Sequence, residues 1–213
     1  RENSRRSDIM KGSLLGVSYS LDDIKKTLDF FNARYEYLDE SNLIEKTSKL
    51  LCEGYVIGWF QGKMEWGPRA LGNRSIIADP RFDDIQNKIN LKIKRREGFR
   101  PFAPAVLEEF VDKFFYPPIN SKYMLFISYL KDDYRIKLPD DYEDYSVYQK
   151  LRLKKSVFPA ITHVDFSSRI QSVNKNDNPL FYKLIYKFYE ITGSPMILNT
   201  SFNVRGEPIV ASP

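Results

Sequence analysis

Residues 58–81 read G-W-F-Q-G-K-M-E-W-G-P-R-A-L-G-N-R-S-I-I-A-D-P-R. An apolar run at 55–57 predicts a buried strand before this stretch, and 75–78 predicts a second strand within it. The glycines between them allow positive φ angles, and Pro68 favours a short helix over 68–71 with free N–H groups. Free N–H groups beside cations suit an anion. The stretch therefore predicts a phosphate-type site at a sheet edge, with the cations Lys63, Arg69 and Arg74.

This stretch has other interpretations. A tight surface turn with solvated arginines is the simplest alternative. The stretch is not a P-loop, because the spacing to Gly62 and Lys63 is one residue short and Met64 stands where Ser or Thr would hold magnesium. It also lacks the G-x-G-x-x-G pattern of dinucleotide-binding turns.

Composition limits the class of protein. At 213 residues the chain is long enough for one large domain with a full core. A single cysteine excludes an internal disulfide, and with a single histidine it also excludes a His/Cys zinc site within the chain. No apolar run approaches the roughly 20 residues that span a membrane. These features predict a cytoplasmic protein, and the net charge of +5 favours an anionic partner, either phosphate or nucleic acid.

The apolar pattern alternates between helices and strands along the chain. Helical spacing predicts helices at 21–33, 41–53, 83–94, 108–115 and 180–192. Short apolar or alternating runs predict further strands at 35–38, 105–107, 123–130, 169–173, 195–198 and 207–210. Cys52 is expected to be a small core residue of the second helix. The fold class is therefore α/β (α+β).

The densest basic cluster lies at 92–100, K-I-K-R-R-E-G-F-R. Its cations could complement the dipole at a solvated helix end. They could also form a nucleic-acid patch, with Phe99 and Phe102 stacking on bases. The third interpretation is a polyphosphate site. The residues alone leave the three open.

Polar residues near predicted strand ends are further candidates. His163 beside Asp165 is compatible with a general base or with a hydrogen-bonded structural histidine. Arg169, near the start of the strand at 169–173, would present a rigid and permanently charged group. The run N-T-S-F-N at 199–203 follows a predicted strand, where its amides and hydroxyls suit a polar ligand. The alternative for this run is an Asx/Ser turn capped by Gly206.

The sequence resembles one family, the O-carbamoyltransferases that include nodulation-factor and antibiotic carbamoyltransferases. The resemblance is to their C-terminal domain and rests on blocks at 58–81, 89–104, 159–171 and 198–210. The second block reads I-N-L-K-I-K followed by F-R-P-F-A-P, the third P-A-I-T-H-V-D, and the last L-N-T-S-F-N-V-R-G-E-P-I-V. Residues 131–158 match none of the blocks and are expected to be a variable insertion.

The resemblance implies a YrdC-like fold, a twisted mixed β-sheet flanked by helices. It implies that the domain binds carbamoyl phosphate and ATP, with Mg²⁺ accompanying the nucleotide, and forms carbamoyl-adenylate. A separate N-terminal domain, similar to actin/hexokinase-like ATPases, would pass the carbamoyl group to a hydroxyl. We therefore expect a linker at 1–20, a YrdC-like domain at 21–213, and an N-terminal transfer domain that this sequence does not contain.

The resemblance also implies residue roles. Arg69, Lys94 and Arg100 would be the catalytic cations. Contacts to ATP or carbamoyl phosphate would come from Arg69, Lys92, Lys94, Arg100, Arg169, Asn199, Ser201 and Asn203. No metal ligand is expected from the chain itself.

Three rival functions remain at this point. The first is synthesis of threonylcarbamoyl-adenylate for tRNA modification, on the same fold. The second is a non-catalytic nucleic-acid-binding module resting on 92–100, with affinity that falls steeply with salt. The third is a regulatory domain without activity. The four sequence blocks favour the carbamoyltransferase and its small phosphate ligands, and the aromatic content is compatible with a homodimer.

Overall fold

The computed structural model describes residues 8–213. Within these residues, two α-helices precede the first strand: α1 at Leu21–Phe30 and α2 at Glu40–Cys52. Ser20 and Asp23 form a capping box at the start of α1, and the Asp39 side chain accepts from the N–H of Asn42 at the start of α2. The strand predicted at 35–38 is wrong, because this connection is irregular and mostly exposed.

In the described part of the chain, eight strands form two sheets. The strands are β1 (Ile57–Phe60), β2 (Arg74–Ala78), β3 (Ala103–Leu107), β4 (Phe115–Tyr116), β5 (Ile127–Leu130), β6 (Ser167–Arg169), β7 (Gln171–Val173) and β8 (Met196–Ser201). The large sheet has the order β1-β2-β8-β3-β7, antiparallel except for the parallel pair β3 and β7. The small antiparallel sheet has the order β4-β5-β6.

The remaining helices are short, apart from the last one. They are α3 (Ile85–Asn87), which continues as a π-helical segment at Lys88–Ile93, then α4 (Val111–Phe114), α5 (Val147–Arg152) and α6 (Pro179–Thr192). The helix predicted at 83–94 is thus divided between α3 and the π-helical segment. The helix predicted at 108–115 is a 3₁₀ turn at Glu108–Phe110 followed by α4.

The large sheet separates two hydrophobic layers. On one face, α2 and α6 pack against it through residues such as Leu51 and Phe188. On the other face, the π-helical segment, α4 and the small sheet bury residues such as Ile89, Phe114 and Leu130. The prediction of a mixed α/β (α+β) fold with a mixed sheet and flanking helices is confirmed.

The prediction of a single strand at 169–173 is wrong, because this run is divided between the two sheets. Ser167–Arg169 belongs to the small sheet and Gln171–Val173 to the large one, while Ile170 between them is fully buried. One short run therefore joins the two sheets. It places Arg169 at the end of a small-sheet strand, facing the space between the sheets rather than inside the large sheet.

Two predictions near the C-terminal end also need correction. The strand predicted at 195–198 extends through Ser201, so Asn199 and Ser201 are strand residues and not turn residues. The strand predicted at 207–210 is absent, although the N–H of Val210 donates to the carbonyl of Phe202. Gly206 has φ +85°, in keeping with a turn.

The segments assigned to a linker and to an insertion both make defined contacts. Residues 8–17 run beside the loop that carries Arg69, and Gly16 and Met64 share a backbone hydrogen bond of 2.9 Å. Within 131–158, Tyr134 and Phe158 pack into the core while most of the intervening residues are exposed. None of the helices between residues 8 and 213 combines the length and apolar composition that a membrane-crossing helix requires.

Candidate functional site

The loop between β1 and β2 is built around a buried carboxylate. Glu65 is 4% exposed, and its Oε1 accepts from the N–H groups of Leu71 at 2.6 Å, Asn73 at 2.8 Å and Arg74 at 3.3 Å. The short helix predicted at 68–71 is absent. The prediction of free N–H groups for an anion is therefore wrong for the residues that Glu65 binds.

Of the three loop cations, only Arg69 lines the arginine-rich cavity described below. Arg74 is fully buried, stands 3.6 Å from the ring centroid of Phe60, and donates to the carbonyls of Gln61 and Gly62. Lys63 is exposed and outside the cavity described below. Arg74 thus supports the loop, and the prediction that all three cations converge is wrong.

A cavity of about 430 Å³ lies between the two sheets. Four arginines line it, and none of the described residues on its wall has a carboxyl side chain; the arginines are Arg69, Arg96, Arg100 and Arg169. Ser167 and Ser168 come from the small sheet, and Asn199, Thr200 and Ser201 from β8. Such a concentration of positive charge with hydroxyl and amide groups suits a phosphate-bearing ligand.

The arginines are held close to one another. Partial desolvation lowers the pKa of Arg169, and the neighbouring Arg69 lowers it further. Burial lowers the pKa of Arg96, with a further contribution from Arg100. Mutual repulsion of this kind raises the energy of the empty site, and an anion would relieve it. The electrostatics therefore favour a ligand with more than one negative charge.

Arg96 and Arg100 each interact with a neighbouring side chain. Nε of Arg96 donates to Oδ1 of Asn90 at 2.7 Å, and its guanidinium lies 5.1 Å from the ring centroid of Phe102. Arg100 pairs with Glu97 at 3.0 Å in a solvent-exposed salt bridge. Exposed pairs of this kind contribute little stability, so Arg100 remains able to exchange its partner for a ligand.

Asn199 forms the polar floor of the cavity. Its Nδ2 donates to the carbonyl of Ala70 at 3.0 Å and to Oε1 of Gln171 at 2.7 Å. Gln171 in turn donates to the carbonyl of Leu71 at 2.8 Å. Oδ1 of Asn199 is buried without a hydrogen-bond partner among the described residues. An unpaired buried acceptor is costly, so this atom is a candidate acceptor for a ligand N–H.

Lys94 lies behind β8 in a neighbouring cavity of about 350 Å³, which shares Arg96, Arg100 and Ser201 with the first. Its Nζ donates to Oγ of Ser201 at 3.2 Å, and to the carbonyl and Oδ1 of Asn203, both at 2.9 Å. Burial, followed by the charge of Arg96, lowers the pKa of Lys94 to about 8. Lys94 and Asn203 are thus adjacent and line the second cavity, whereas Arg69 lines the first.

The remaining predicted residues lie apart or at the edge. Lys92 is exposed and lines neither cavity. His163 lies on the wall of the larger cavity, with Nδ1 3.3 Å from Oδ1 of Asp165. Burial would raise the pKa of Asp165, but hydrogen bonds from Ser167 and the charge of His163 keep it below its ordinary value. Cys52 is half-buried in α2, and burial raises the pKa of its thiol.

Sequence reasoning missed three residues that shape the site: Glu65, Arg96 and Gln171. Arg96 was visible in the basic cluster at 92–100 but was not separated from its neighbours there. Glu65 and Gln171 gave no local signal, because the partners of Glu65 lie 6 to 9 residues away and those of Gln171 lie 28 and 100 residues away.

Comparison with known proteins identifies the family of the chain. Residues 48–213 match the family model described as carbamoyltransferase C-terminus. An uncharacterized protein of Synechocystis is 46% identical over 98% of this chain and 34% of its own length. The nodulation protein NolNO of Sinorhizobium fredii is 40% identical over 80% of this chain and 23% of its own.

A third relative has an enzymatic name. The 3'-hydroxymethylcephem-O-carbamoyltransferase of Amycolatopsis lactamdurans is 33% identical over 78% of this chain and 28% of its own length. The chain therefore spans between 23% and 34% of the length of these three relatives. The resemblance found in the sequence is confirmed, and the chain belongs to the carbamoyltransferase C-terminus family.

Proposed function

We propose that this chain is the part of an O-carbamoyltransferase that binds ATP and carbamoyl phosphate and forms carbamoyl-adenylate. The observation that carries the proposal is the cavity with four arginines and no carboxyl side chain among its described lining residues. Both ligands are polyanions, and arginine binds phosphate oxygens in a bidentate, permanently charged manner. Membership of the carbamoyltransferase C-terminus family supports the part of the proposal that concerns the carbamoyl group.

The reaction divides into three steps. Hydrolysis of carbamoyl phosphate gives carbamate and inorganic phosphate. A carbamate oxygen then forms a bond with the α-phosphorus of ATP while the bond from that phosphorus to the bridging oxygen breaks, and pyrophosphate leaves with the electron pair. In the last step the oxygen of an acceptor hydroxyl attacks the carbamoyl carbon, the hydroxyl proton passes to solvent or a base, and AMP is released.

The arginines would act mainly by electrostatic stabilisation. Negative charge grows on the non-bridging oxygens at the α-phosphorus and on the departing pyrophosphate, and fixed cations placed there lower the barrier. Arg69 comes from the loop between β1 and β2 and Arg169 from the small sheet, while Arg96 and Arg100 lie on the wall shared with the second cavity. This distribution suits a ligand that extends from one cavity into the other.

Asn199 would bind the carbamoyl group. Its buried Oδ1 can accept from the carbamoyl NH₂. The hydroxyl of Ser201 donates to Oδ1 of Asn203 at 2.6 Å and would exchange this partner to donate to the carbonyl oxygen of the ligand. This pair would distinguish a carbamoyl group from an acyl group that lacks the NH₂. A closed site is also needed, because carbamoyl-adenylate is readily hydrolysed.

Magnesium would enter with the nucleotide. Among residues 8–213, no group of three His, Cys, Asp or Glu side chains is placed to hold a metal ion. The phosphate oxygens of ATP would therefore be the ligands of Mg²⁺, which would offset part of their negative charge. The residues of this chain would contact the phosphate oxygens that the metal leaves free.

The final transfer would require a part of the polypeptide outside this chain, an N-terminal domain that presents the acceptor hydroxyl. The name of one relative describes transfer to the oxygen of a hydroxymethyl group, which is consistent with an alcohol as the acceptor class. A cytoplasmic location fits the proposal, since ATP and carbamoyl phosphate are cytoplasmic metabolites and the single cysteine forms no internal disulfide.

Isothermal titration with ATP·Mg²⁺ and then with carbamoyl phosphate tests the proposal. We expect the wild-type chain to bind both ligands, and Arg69→Ala and Arg169→Ala to weaken binding by about 10- to 100-fold, as loss of a charge-assisted hydrogen bond predicts. Lys63→Ala is the matched control, because Lys63 is a cation of the same loop outside the cavity. Binding of neither ligand by the folded wild-type chain would contradict the proposal.

A second measurement distinguishes this proposal from threonylcarbamoyl-adenylate synthesis, the rival function on the same fold. Pyrophosphate exchange into ATP should depend on carbamoyl phosphate and should not appear when threonine and bicarbonate replace it. Exchange that depends on threonine and bicarbonate instead would identify the enzyme as a threonylcarbamoyl-adenylate synthase.

A further inference from the structure

The first step of the proposed reaction, hydrolysis of carbamoyl phosphate, calls for a group that takes a proton. Neutral water is a weak nucleophile, and a positioned base that removes its proton accelerates such a step by about 10²- to 10⁴-fold. The arginines on the wall of the cavity are permanently charged and only donate hydrogen bonds, so they cannot act as this base. The hydrolysis therefore requires a further residue of the cavity.

Among the described residues that line the arginine cavity, His163 is the one whose side chain can accept a proton near neutral pH. The wall carries no carboxyl side chain, and its other polar side chains are guanidinium, amide and hydroxyl groups. Lys94 in the neighbouring cavity is an alternative, but its pKa of about 8 leaves it mostly charged at pH 7. An imidazole, by contrast, changes its charge between pH 5 and 8.

His163 begins a tight turn that leads into β6. Its backbone N–H donates to the carbonyl of Ser167 at 2.9 Å, and its carbonyl accepts from the N–H of Phe166 at 3.0 Å. Phe166 has φ +63°, in the left-handed region that reverses the chain. These contacts belong to the backbone, whereas the imidazole is 47% exposed. The turn therefore does not depend on the side chain of His163 for its fold.

Asp165 is placed to orient the imidazole. Its Oδ1 lies 3.3 Å from Nδ1 of His163, and the same oxygen accepts from the backbone N–H of Ser167 at 3.0 Å and from its hydroxyl at 2.6 Å. Although burial would raise the pKa of Asp165, these hydrogen bonds and the charge of His163 keep it below its ordinary value. A charged carboxylate beside Nδ1 favours the tautomer with the proton on Nδ1, which leaves Nε2 as the acceptor.

His163 also lies where water can reach it. It lines a second space, a cleft of about 860 Å³ between the π-helical segment and α5. The other residues of this cleft are mostly polar or charged, among them Asp83, Glu97 and Lys154. The residue therefore borders both the cavity suited to a phosphate ligand and a polar space that can supply water.

We propose that His163 is the general base in the hydrolysis of carbamoyl phosphate and that Asp165 positions it. Nε2 takes a proton from water while the water oxygen forms a bond to the carbonyl carbon. The bond from that carbon to the bridging oxygen breaks, phosphate leaves with the electron pair, and the imidazolium returns the proton to a phosphate oxygen. The carbamic acid that remains loses its proton to solvent and becomes carbamate. The inference rests on the proposed function, since it assumes that the arginine cavity binds carbamoyl phosphate.

The assignment separates two chemical steps. Carbamate is an anion at neutral pH, so its attack on the α-phosphorus of ATP needs no base, and the arginines supply the electrostatic stabilisation. Loss of the imidazole should therefore stop the first step and spare the second. Ammonium carbamate, supplied in place of carbamoyl phosphate, should bypass the missing side chain.

Release of inorganic phosphate from carbamoyl phosphate, with and without ATP·Mg²⁺, tests the assignment. We expect His163→Gln to lower kcat by about 100-fold or more with KM little changed, as loss of a general base predicts. Asp165→Asn should cause a smaller loss of the same kind. Asp144→Asn is the matched control for it, because Asp144 is exposed and lines neither the cavity nor the cleft.

Two further readouts distinguish a base from a merely structural residue. Added imidazole should restore part of the phosphate release in His163→Ala, since it can occupy the space of the lost ring. Pyrophosphate exchange into ATP with ammonium carbamate should be equal in the wild type and in His163→Gln.

The outcomes separate this inference from the proposal on which it rests. Phosphate release at the wild-type rate in His163→Gln would overturn the base assignment alone, as would binding of carbamoyl phosphate by the wild type without any release of phosphate. Equal losses with carbamoyl phosphate and with carbamate would also overturn it, because the side chain would then support the site as a whole. Failure of the wild type to bind ATP and carbamoyl phosphate would overturn both proposals.

Discussion

Lys94 is a buried ammonium group without a carboxylate partner among residues 8–213. Its hydrogen bonds go to the side-chain or backbone oxygens of Ser201 and Asn203, which are neutral groups. Burial and the nearby Arg96 disfavour the charged form and lower its pKa to about 8. A bound polyanion would have the opposite effect and favour the charged form. Ligand binding and protonation of Lys94 should therefore be coupled.

This coupling predicts a pH dependence of ATP affinity. Because the pKa of Lys94 without ligand is about 8, most of the side chains are charged at pH 7 and most are neutral at pH 9. The affinity should therefore fall as pH rises through about 8. Lys94→Met should bind ATP more weakly than the wild type at pH 7 and should lose this fall between pH 7 and pH 9. Titration calorimetry across this range would measure both effects.

Lys92 provides the control for that experiment. It lies in the same basic cluster but is exposed and outside both cavities. Lys92→Met should keep the affinity and the pH profile of the wild type. An unchanged pH profile in Lys94→Met, or equal losses in the two variants, would show that Lys94 does not sense the ligand.

The sequence identified the cations of the site more readily than the groups that hold them in place. Arg69, Arg100 and Arg169 were predicted as ligand contacts and the structure places all three in one cavity, although their contact with a ligand stays a prediction. Arg74 was grouped with them because the sequence shows charge but not burial. The partners that bury it, such as the ring of Phe60 and the carbonyl of Gln61, become visible only after β1 and β2 pair.

The loop between β1 and β2 depends on glycine at two positions for different reasons. Gly72 has φ +108°, and a Cβ there would lie 2.3 Å from Cδ1 of Phe181 in the core. Gly67 has φ +132°, but a Cβ there would meet nothing within 4 Å. The two positions share backbone strain and differ in steric overlap, so they can be compared directly.

Gly72→Ala should therefore destabilise the fold more than Gly67→Ala. Strain alone costs about 1–3 kcal/mol, which is the loss expected for Gly67→Ala. Gly72→Ala adds an overlap with a fully buried ring and should cost about 1–3 kcal/mol more. Urea unfolding of both variants would measure the difference. Equal losses at the two positions would mean that Phe181 moves away without cost.

Helices were predicted best where one apolar face packs on the sheet. The patterns at 41–53 and 180–192 correspond closely to α2 and α6, which bury Leu51 and Phe188 on the same face of the large sheet. The pattern at 83–94 predicted one continuous α-helix, whereas the structure has α3 followed by a π-helical segment. A π-helical turn and an α-helical turn bury similar apolar spacings over so few residues, so periodicity could not separate them.

At the scale of the whole molecule, the site is a product of the contact between two sheets. The small sheet supplies Arg169, the large sheet supplies Asn199, and the loop between β1 and β2 supplies Arg69. Hydrophobic periodicity predicts each strand but not which strands share a sheet. The switch from the small to the large sheet at Ile170 illustrates this limit, because an uninterrupted alternating pattern covers residues of both sheets.

The segment at 8–17 links the start of the described chain to the loop that carries Arg69. Trp66 N–H donates to the carbonyl of Ser13 at 2.6 Å, and the hydroxyl of Ser13 donates to the carbonyl of Trp66 at 2.6 Å. Met64 N–H donates to the carbonyl of Val17 at 2.8 Å, and Gly16 N–H donates to the carbonyl of Met64 at 2.9 Å. These four bonds hold one side of the loop, while Glu65 holds the other.

A chain that begins at Ser18 should therefore be less stable and should bind ATP more weakly. Four lost hydrogen bonds, each worth about 0.5–1.5 kcal/mol, predict a loss of roughly 2–6 kcal/mol in the free energy of unfolding. Amide exchange should accelerate at residues 64–74 and remain slow in α6, because none of the four bonds involves a residue of α6. Gly16→Ala offers a milder test, since its Cβ would lie 2.8 Å from the carbonyl oxygen of Met64. Unchanged exchange at residues 64–74 in both chains would show that the loop keeps its shape without this segment, and that Glu65 alone is sufficient to present Arg69.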